Sequence, residues 1–254
     1  MSWVLHFLGV GNAAAAAELG SASAVIERGN QPLLMIDCGQ EALTAYCQAY
    51  ARMPDALFIS HVHMDHVAGL ERLFFATWFE PARRGKVRLY VPAGIVAHLQ
   101  ARLADYPGML AEGGVNFWDA FHLVPVSRGF WHAGRWYDVF AVRHHAPDTA
   151  FGLALRGALV YTGDTRPIPE MLMHHANHGE LIAHDCALVG NPSHSGLDDL
   201  EREYPPALRQ RLVLYHYGDA SDADAMGARG YRVARAGDRI ALSEPSAEQA
   251  EASS

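Results

Sequence analysis

His61-Val62-His63-Met64-Asp65-His66 follows directly on the apolar run Ala56-Leu57-Phe58-Ile59-Ser60. The apolar run reads as a short buried strand, so the histidines stand where a strand meets a loop. Side chains at i and i+2 point the same way as a strand ends. Asp65 and His66 then fold back across a tight turn. One segment thus brings nitrogen and oxygen donors together in a set suited to zinc, iron or manganese. A solvated polar turn does not account for three histidines and a carboxylate in six positions.

Six residues cannot complete two metal coordination spheres, so further ligands must come from other strand ends. Three candidates follow apolar runs in this way. His144-His145 follow Val139 to Val142, Asp164 follows Leu159 to Gly163, and His216 ends Leu212 to Tyr215. Neighbouring side chains on a strand face opposite ways, so only one of His144 and His145 can ligate.

Composition frames this site. The chain has 254 residues, 50% hydrophobic and 19% charged, which excludes intrinsic disorder for its bulk. No apolar run reaches membrane-span length, and Met1 to Gly11 lacks a basic n-region, so a cytoplasmic protein without membrane contact is expected. Cys38, Cys47 and Cys186 are an odd, sparse set, in keeping with a reducing compartment. Net charge is −8, against the basic balance usual for a sequence-independent nucleic-acid binder. The outlier is histidine, with 15 copies.

Strands and helices alternate along the chain. Strands are expected at Trp3 to Leu8, Ser23 to Glu27 and Pro32 to Asp37, the last two turned at Arg28-Gly29-Asn30. Helices follow at Gln40 to Arg52, Val67 to Phe79 and Ile95 to Leu103, with a strand at Val87 to Val91 between the last two. The second half carries strands at Phe121 to Val126, Arg135 to Val142, Phe151 to Leu155, Ala158 to Thr162, Leu181 to Asp185, Leu212 to His216 and Tyr231 to Ala234. Helices are expected there at Pro169 to His178, Leu197 to Glu203 and Asp222 to Arg229. This pattern predicts two sheets covered by helices, an α/β (α+β) chain of one domain over 1–243, with a disordered tail over 244–254.

The ordered motifs resemble the metallo-β-lactamase-fold hydrolases, and within them the ribonuclease Z and phosphodiesterase branch. Phe7 to Gly11 with Ser21-Ala22-Ser23 is similar to that branch's first two strands, and Asp37-Cys38-Gly39 to the end of its next. The histidine motif matches the superfamily pattern in full. Tyr161 to Pro167, His184-Asp185 (with Asp in place of Glu), Ser193-His194-Ser195 and Leu212 to His216 are similar to later segments. The match runs in order over about residues 3–218.

The resemblance implies a four-layer αββα sandwich with two divalent metal ions, zinc first and manganese or iron as alternatives. His61, His63 and a third histidine would hold one ion, and Asp65, His66 and His216 the other, with Asp164 bridging. The family spacing to Thr149 favours His145 as the third histidine, leaving His144 either on the surface or just behind the ligands. A water between two cations would lose its proton near neutral pH and attack. His194, oriented by Asp185, is the general-acid candidate, and Asp65 could help orient the nucleophile. The implied activity is phosphodiester hydrolysis of a nucleotide or other small molecule. Ester, thioester or lactone hydrolysis by the same metals is the alternative. A di-iron redox or sensor module is disfavoured, because the histidines are intact and no second domain is read.

Two departures and several weaker signals remain. The long Gly- and Pro-rich arm of ribonuclease Z is missing between His145 and Asp164, which argues against a transfer-RNA substrate. Arg83, Arg84, Lys86 and Arg88 read as a solvated turn or a phosphate patch. The aromatics Phe74, Phe75, Trp78 and Phe79, with Trp118, Phe121, Phe130, Trp131 and Trp136, could form core, an apolar substrate pocket or a homodimer interface. His174, His175 and His178 read as a solvated helix face.

Overall fold

The hairpin of β2 (Ser23–Arg28) and β3 (Gln31–Ile36) turns at Gly29 and Asn30, whose φ angles of 58° and 63° are both positive. That geometry matches the right-handed twist of the flanking strands. With β1 (Trp3–Gly9) they make an antiparallel meander. Residues 1–246 are described in this computed structural model. The expected tail of 244–254 lies, from 247 onward, outside the described residues.

From the meander the chain winds on by crossovers. After α1 (Ala16–Leu19), within the β1–β2 connection, come α2 (Gln40–Tyr50), β4 (Ala56–Phe58), α3 (Met64–Val67), α4 (Gly69–Trp78) and β5 (Val87–Pro92). A small hairpin of β6 (Met109–Leu110) and β7 (Gly113–Gly114) precedes β8 (Phe121–Val126). β3, β4, β5 and β8 run parallel.

The second sheet repeats the plan. β9 (Gly129–His132), β10 (Arg135–Ala141), β11 (Phe151–Leu155) and β12 (Leu159–Tyr161) form a meander. β13 (Leu181–Asp185), β14 (Leu212–Tyr215) and β15 (Arg232–Val233) extend it in parallel. β16 (Arg239–Leu242) returns to the first sheet beside β1, giving seven strands in each large sheet.

β11, β12 and β14 are buried along their whole length. A sheet whose strands are buried throughout is covered on both faces. On the first sheet, α2 buries Ala42, Leu43 and Tyr46, and α4 buries Leu70, Leu73, Phe74 and Thr77. This is the two-sheet, helix-covered α/β architecture expected from the sequence.

Two helices differ from their expected form, and β9 and β16 are new. The helix expected over 67–79 is two helices meeting at Ala68, and the first begins inside the histidine motif. Gly69 makes this junction possible: a Cβ there would lie 2.5 Å from the Gly39 carbonyl oxygen. The helix expected over 95–103 is broken into 3₁₀, α and π pieces over Ala93–Ala104. β9 and β16 carry no clear alternation and are not foreseen. Phe74, Phe117, Phe121 and Phe130 pack in the core, whereas Phe79 and Trp131 are exposed. No helix among the described residues is long and apolar enough to cross a membrane.

Candidate metal centre

β4 ends at Phe58 and delivers Ser60, His61 and His63 before α3 begins. Ser60 Oγ donates to Asp37 Oδ2 at 2.6 Å, so it accepts from His61 Nδ1 at 3.0 Å. Asp37 Oδ2 also accepts from His66 Nδ1 at 2.8 Å, and Asp37 Oδ1 from the Ser60 amide at 2.7 Å. The second sheet supplies the same kind of support. His144 Nδ1 donates to the Ser193 carbonyl at 2.9 Å, and His216 Nδ1 faces Asp185 Oδ1 at 3.4 Å. Three rings thus spend Nδ1–H on outer partners and His216 turns its Nδ1 toward a carboxylate, so in each neutral ring Nε2 would be the lone-pair nitrogen turned inward.

Those inward atoms converge. His63 Nδ1 lies 3.1 Å from His61 Nε2 and 3.2 Å from His144 Nε2. Two nitrogens each about 2.1 Å from a tetrahedral zinc stand about 3.4 Å apart. Asp164 Oδ2 lies 3.1 Å from His216 Nε2, 3.3 Å from His66 Nε2 and 3.6 Å from His61 Nε2. Asp65 Oδ2 lies 3.4 Å from His66 Nε2 and 3.7 Å from His216 Nε2. Two of the donor clusters, His61–His63–His144–Asp164 and Asp65–His66–His216, lie side by side with Asp164 against both, while Asp37 also clusters with His61 and His66, and His194 with Asp164 and His216. His66 Nε2, His216 Nε2 and Asp164 Oδ1 are buried with no hydrogen-bond partner. Orphaned buried atoms of this kind are costly unless something else occupies them. The residues therefore fit a pair of divalent cations.

The third histidine differs from the expectation. His144 is buried in the first set, while the ring of His145 is exposed and meets Ser193 Oγ at 3.3 Å. The physical reason is the chain's exit from β10. Arg143 is fixed by its amide to Thr165 Oγ1 and by its carbonyl to the Arg166 amide. The next side chain, His144, is then the one directed at the ligand set. Thr149, on which the spacing rested, hydrogen-bonds the Ala146 carbonyl within its own turn.

His194 and Asp185 are brought together as expected. His194 Nδ1 donates to Asp185 Oδ2 at 2.8 Å, and its ring stacks on His216 at 4.9 Å between centroids. Asp185 also accepts from the Thr165 amide at 2.8 Å. It therefore orients both His194 and His216. Asp37, which the sequence reading quoted without a role, holds His66 and Ser60. Its backbone is left-handed at φ 60° and its side chain wholly buried. An Asp in Asp-Cys-Gly directly after an apolar strand was the available signal.

Charge in the cluster is set by its own members. Burial opposes charge on His216, but Asp164 and Asp185 outweigh it and push its pKa up to about 10. Burial opposes charge on His66 too, and Asp164 and Asp37 raise it well above the usual range. Burial, then His66, lowers His61. Asp164 is held well below the usual carboxylate range, because His216, His66 and His61 overcome its burial. Both shifts favour the protonated form of His66 and His216 in the metal-free chain, and ligation through Nε2 must displace any proton held there. Cation uptake at pH 7 is expected to release about two protons per chain. Calorimetry in buffers of different ionisation heat measures this, and uptake without proton release contradicts it. Because the folded pKa of His216 is raised, its ion pairs stabilise the metal-free fold fully below about 6.5 and are lost as pH rises through about 10. Apparent cation affinity should climb across that window.

The centre opens into a cleft of about 670 Å³ lined by Asn12, Ser21, Glu41, Met64, Asn191 and His194 among others. Among the described residues its walls carry no Lys or Arg and no aromatic ring other than histidine. The described residues of this cleft do not form the aromatic wall that would favour a lactone. The basic turn is used elsewhere: Arg83 bonds Asp55 and the Pro54 carbonyl, and Arg84 lies 4.0 Å over the Trp78 ring. His174, His175 and His178 border a separate pocket with Asp138 and Arg156 and belong to none of the donor sets.

Comparison with known proteins identifies the family and the fold. The model of the family described as Anti-Pycsar protein Apyc1 matches residues 3–239. The Anti-Pycsar protein Apyc1 of Paenibacillus xerothermodurans is 28% identical over 228 residues, covering 86% of this chain and 89% of that relative. The metallo-beta-lactamase fold protein YhfI from Bacillus subtilis superposes with a TM-score of 0.70 at 14% identity, over 95% of this chain and all of its own. A diphosphatase from the PhnP family gives a TM-score of 0.72 at 17% identity, over 95% and 97% of the two chains. The fold is thus the metallo-β-lactamase fold, as the sequence motifs implied.

Proposed function

The chain belongs to the Anti-Pycsar protein Apyc1 family, and from this we propose that it hydrolyses a cyclic nucleotide at its phosphodiester bond. It is a metal-dependent hydrolase of phosphodiesterase-like kind. The observation that carries the reading is the position of Asp164, whose one oxygen faces imidazoles of both donor sets at 3.1 to 3.6 Å. The cleft above it, about 670 Å³, suits a ligand of small-molecule size.

His61, His63, His144 and Asp164 would hold one divalent cation, and Asp65, His66, His216 and Asp164 the second. Zinc suits this nitrogen and oxygen set, with manganese or iron as alternatives. Such a pair supplies, when bound, a hydroxide nucleophile at neutral pH and neutralises charge on the phosphoryl oxygens. The chain's own residues do the rest. Asp37, Ser60, Asp185 and the Ser193 carbonyl fix the ligand rings, so little reorganisation is left for the reaction. His194 lines the cleft and is steadied by Asp185, which supports a role in protonating the leaving oxygen.

His194→Ala is expected to keep full metal content while kcat falls by roughly 10²–10⁴-fold. The loss should be much smaller on a p-nitrophenyl phosphodiester, whose leaving group needs no proton. Equal losses on both substrates, or loss of metal, would remove His194 from the acid role. The activity itself is tested by measuring metal per chain alongside turnover of a 3′,5′-cyclic mononucleotide and a simple lactone. Linear nucleoside monophosphate with two cations per chain is the expected outcome. Turnover of the lactone alone would overturn the reading.

A further inference from the structure

Gly39 starts α2 in a place no other residue fits: a Cβ there would lie 2.1 Å from the Asp65 carbonyl oxygen and 2.4 Å from Ser21 Oγ. This packs the first turn of α2 against the metal motif and puts Gln40 and Glu41 on the wall of the same cleft. Ser21 is wholly buried, and its hydroxyl donates to Glu41 Oε2 at 2.5 Å. A hydroxyl has one proton to give, so Ser21 fixes the carboxylate by one oxygen. Oε1 meets no hydrogen-bond donor among the described residues. Apart from the side chains of the metal centre, Glu41 is the one charged residue of the cleft among the described residues.

We propose that Glu41 is a specificity-determining residue that accepts a hydrogen bond from a neutral O–H or N–H group on the substrate. This rests on the phosphodiesterase reading. The phosphodiester anion is drawn to the metal end, so the remainder of the substrate faces this wall. A fixed carboxylate there rewards a donor and repels a second phosphate. In a 3′,5′-cyclic nucleotide the donor is either the ribose 2′-hydroxyl or an exocyclic amine of the base. A group oriented in advance by a buried partner discriminates strongly, because an analogue lacking the donor leaves the carboxylate unpaired after losing its water.

The test uses the zinc-loaded chain and its Glu41→Gln variant. KM and kcat are measured on cyclic ribonucleotides carrying adenine, cytosine or uracil, and on their 2′-deoxy counterparts. The wild type should prefer the donor-bearing member by about tenfold or more in KM. A ribose preference identifies the hydroxyl, and a preference for adenine and cytosine over uracil identifies the amine. Glu41→Gln should erase the preference through KM, with kcat changing far less. Glu41→Asp keeps the charge at shorter reach and should weaken the preference without reversing it, which covers a poorly folding Gln variant. A wild type with neither preference, or variants that retain it, would overturn the inference. If no cyclic nucleotide is turned over, the phosphodiesterase reading fails by itself. Calorimetric binding of the same nucleotides then still decides for or against Glu41.

Discussion

Asp164→Ala is expected to yield a chain that retains neither cation and has lost at least about 10³-fold in kcat/KM. The size follows from what is removed. Metal-assisted charge stabilisation is worth several kcal/mol, and each 1.36 kcal/mol is a factor of ten. Asp164 Oδ2 faces three imidazole nitrogens from both sets at 3.1, 3.3 and 3.6 Å, so its loss strips an anionic ligand from both positions at once. It also leaves the buried His66 and His216, whose protonated forms Asp164 favours, without their central counter-charge. Metal analysis, turnover and melting temperature measured on one preparation decide the matter. A variant that keeps one tightly held cation would show that Asp164 serves a single position.

The second large effect separates two adjacent histidines. His144→Ala removes an Nε2 lying 3.2 Å from His63 Nδ1 and should empty one of the two positions, with turnover falling about 10²-fold or more. His145→Ala removes an exposed ring and should leave metal content and turnover within about threefold of wild type, as surface substitutions usually do. The reverse pattern, with metal lost from His145→Ala, would overturn the assignment made from the geometry.

These two residues also show what the sequence disclosed and what it withheld. His61, His63, Asp65 and His66 were legible because they lie together in six positions, just past one strand end and in the helical turn that follows it. Asp164 and His216 were legible because each ends an apolar run. His144 was not, because the direction of that ring depends on Arg143 being held by Thr165 and Arg166, more than twenty residues away. Spacing along the chain contains no information about such a clamp. Asp37 was missed for a related reason: its side chain matters only through Ser60 and His66, which tertiary structure brings to it. The fold was legible at the level of two covered sheets, since long apolar strands and amphipathic helices announce themselves. β16 was not, because it has only four residues, and its place beside β1 is fixed by pairing across the whole length of the chain.

One arrangement has a mechanical side. His61, His63, Asp65 and His66 extend from the first sheet, and His144, Asp164 and His216 from the second. Neither sheet alone owns a full set for either ion. Each cation would therefore be a rivet through the seam, and metal content a measure of how firmly the two sheets are clamped. Chelation should then do more than silence the chemistry. It should let the seam gape at the metal end first, speeding amide exchange at the tips of β4, β12 and β14 well before the far ends of those strands respond.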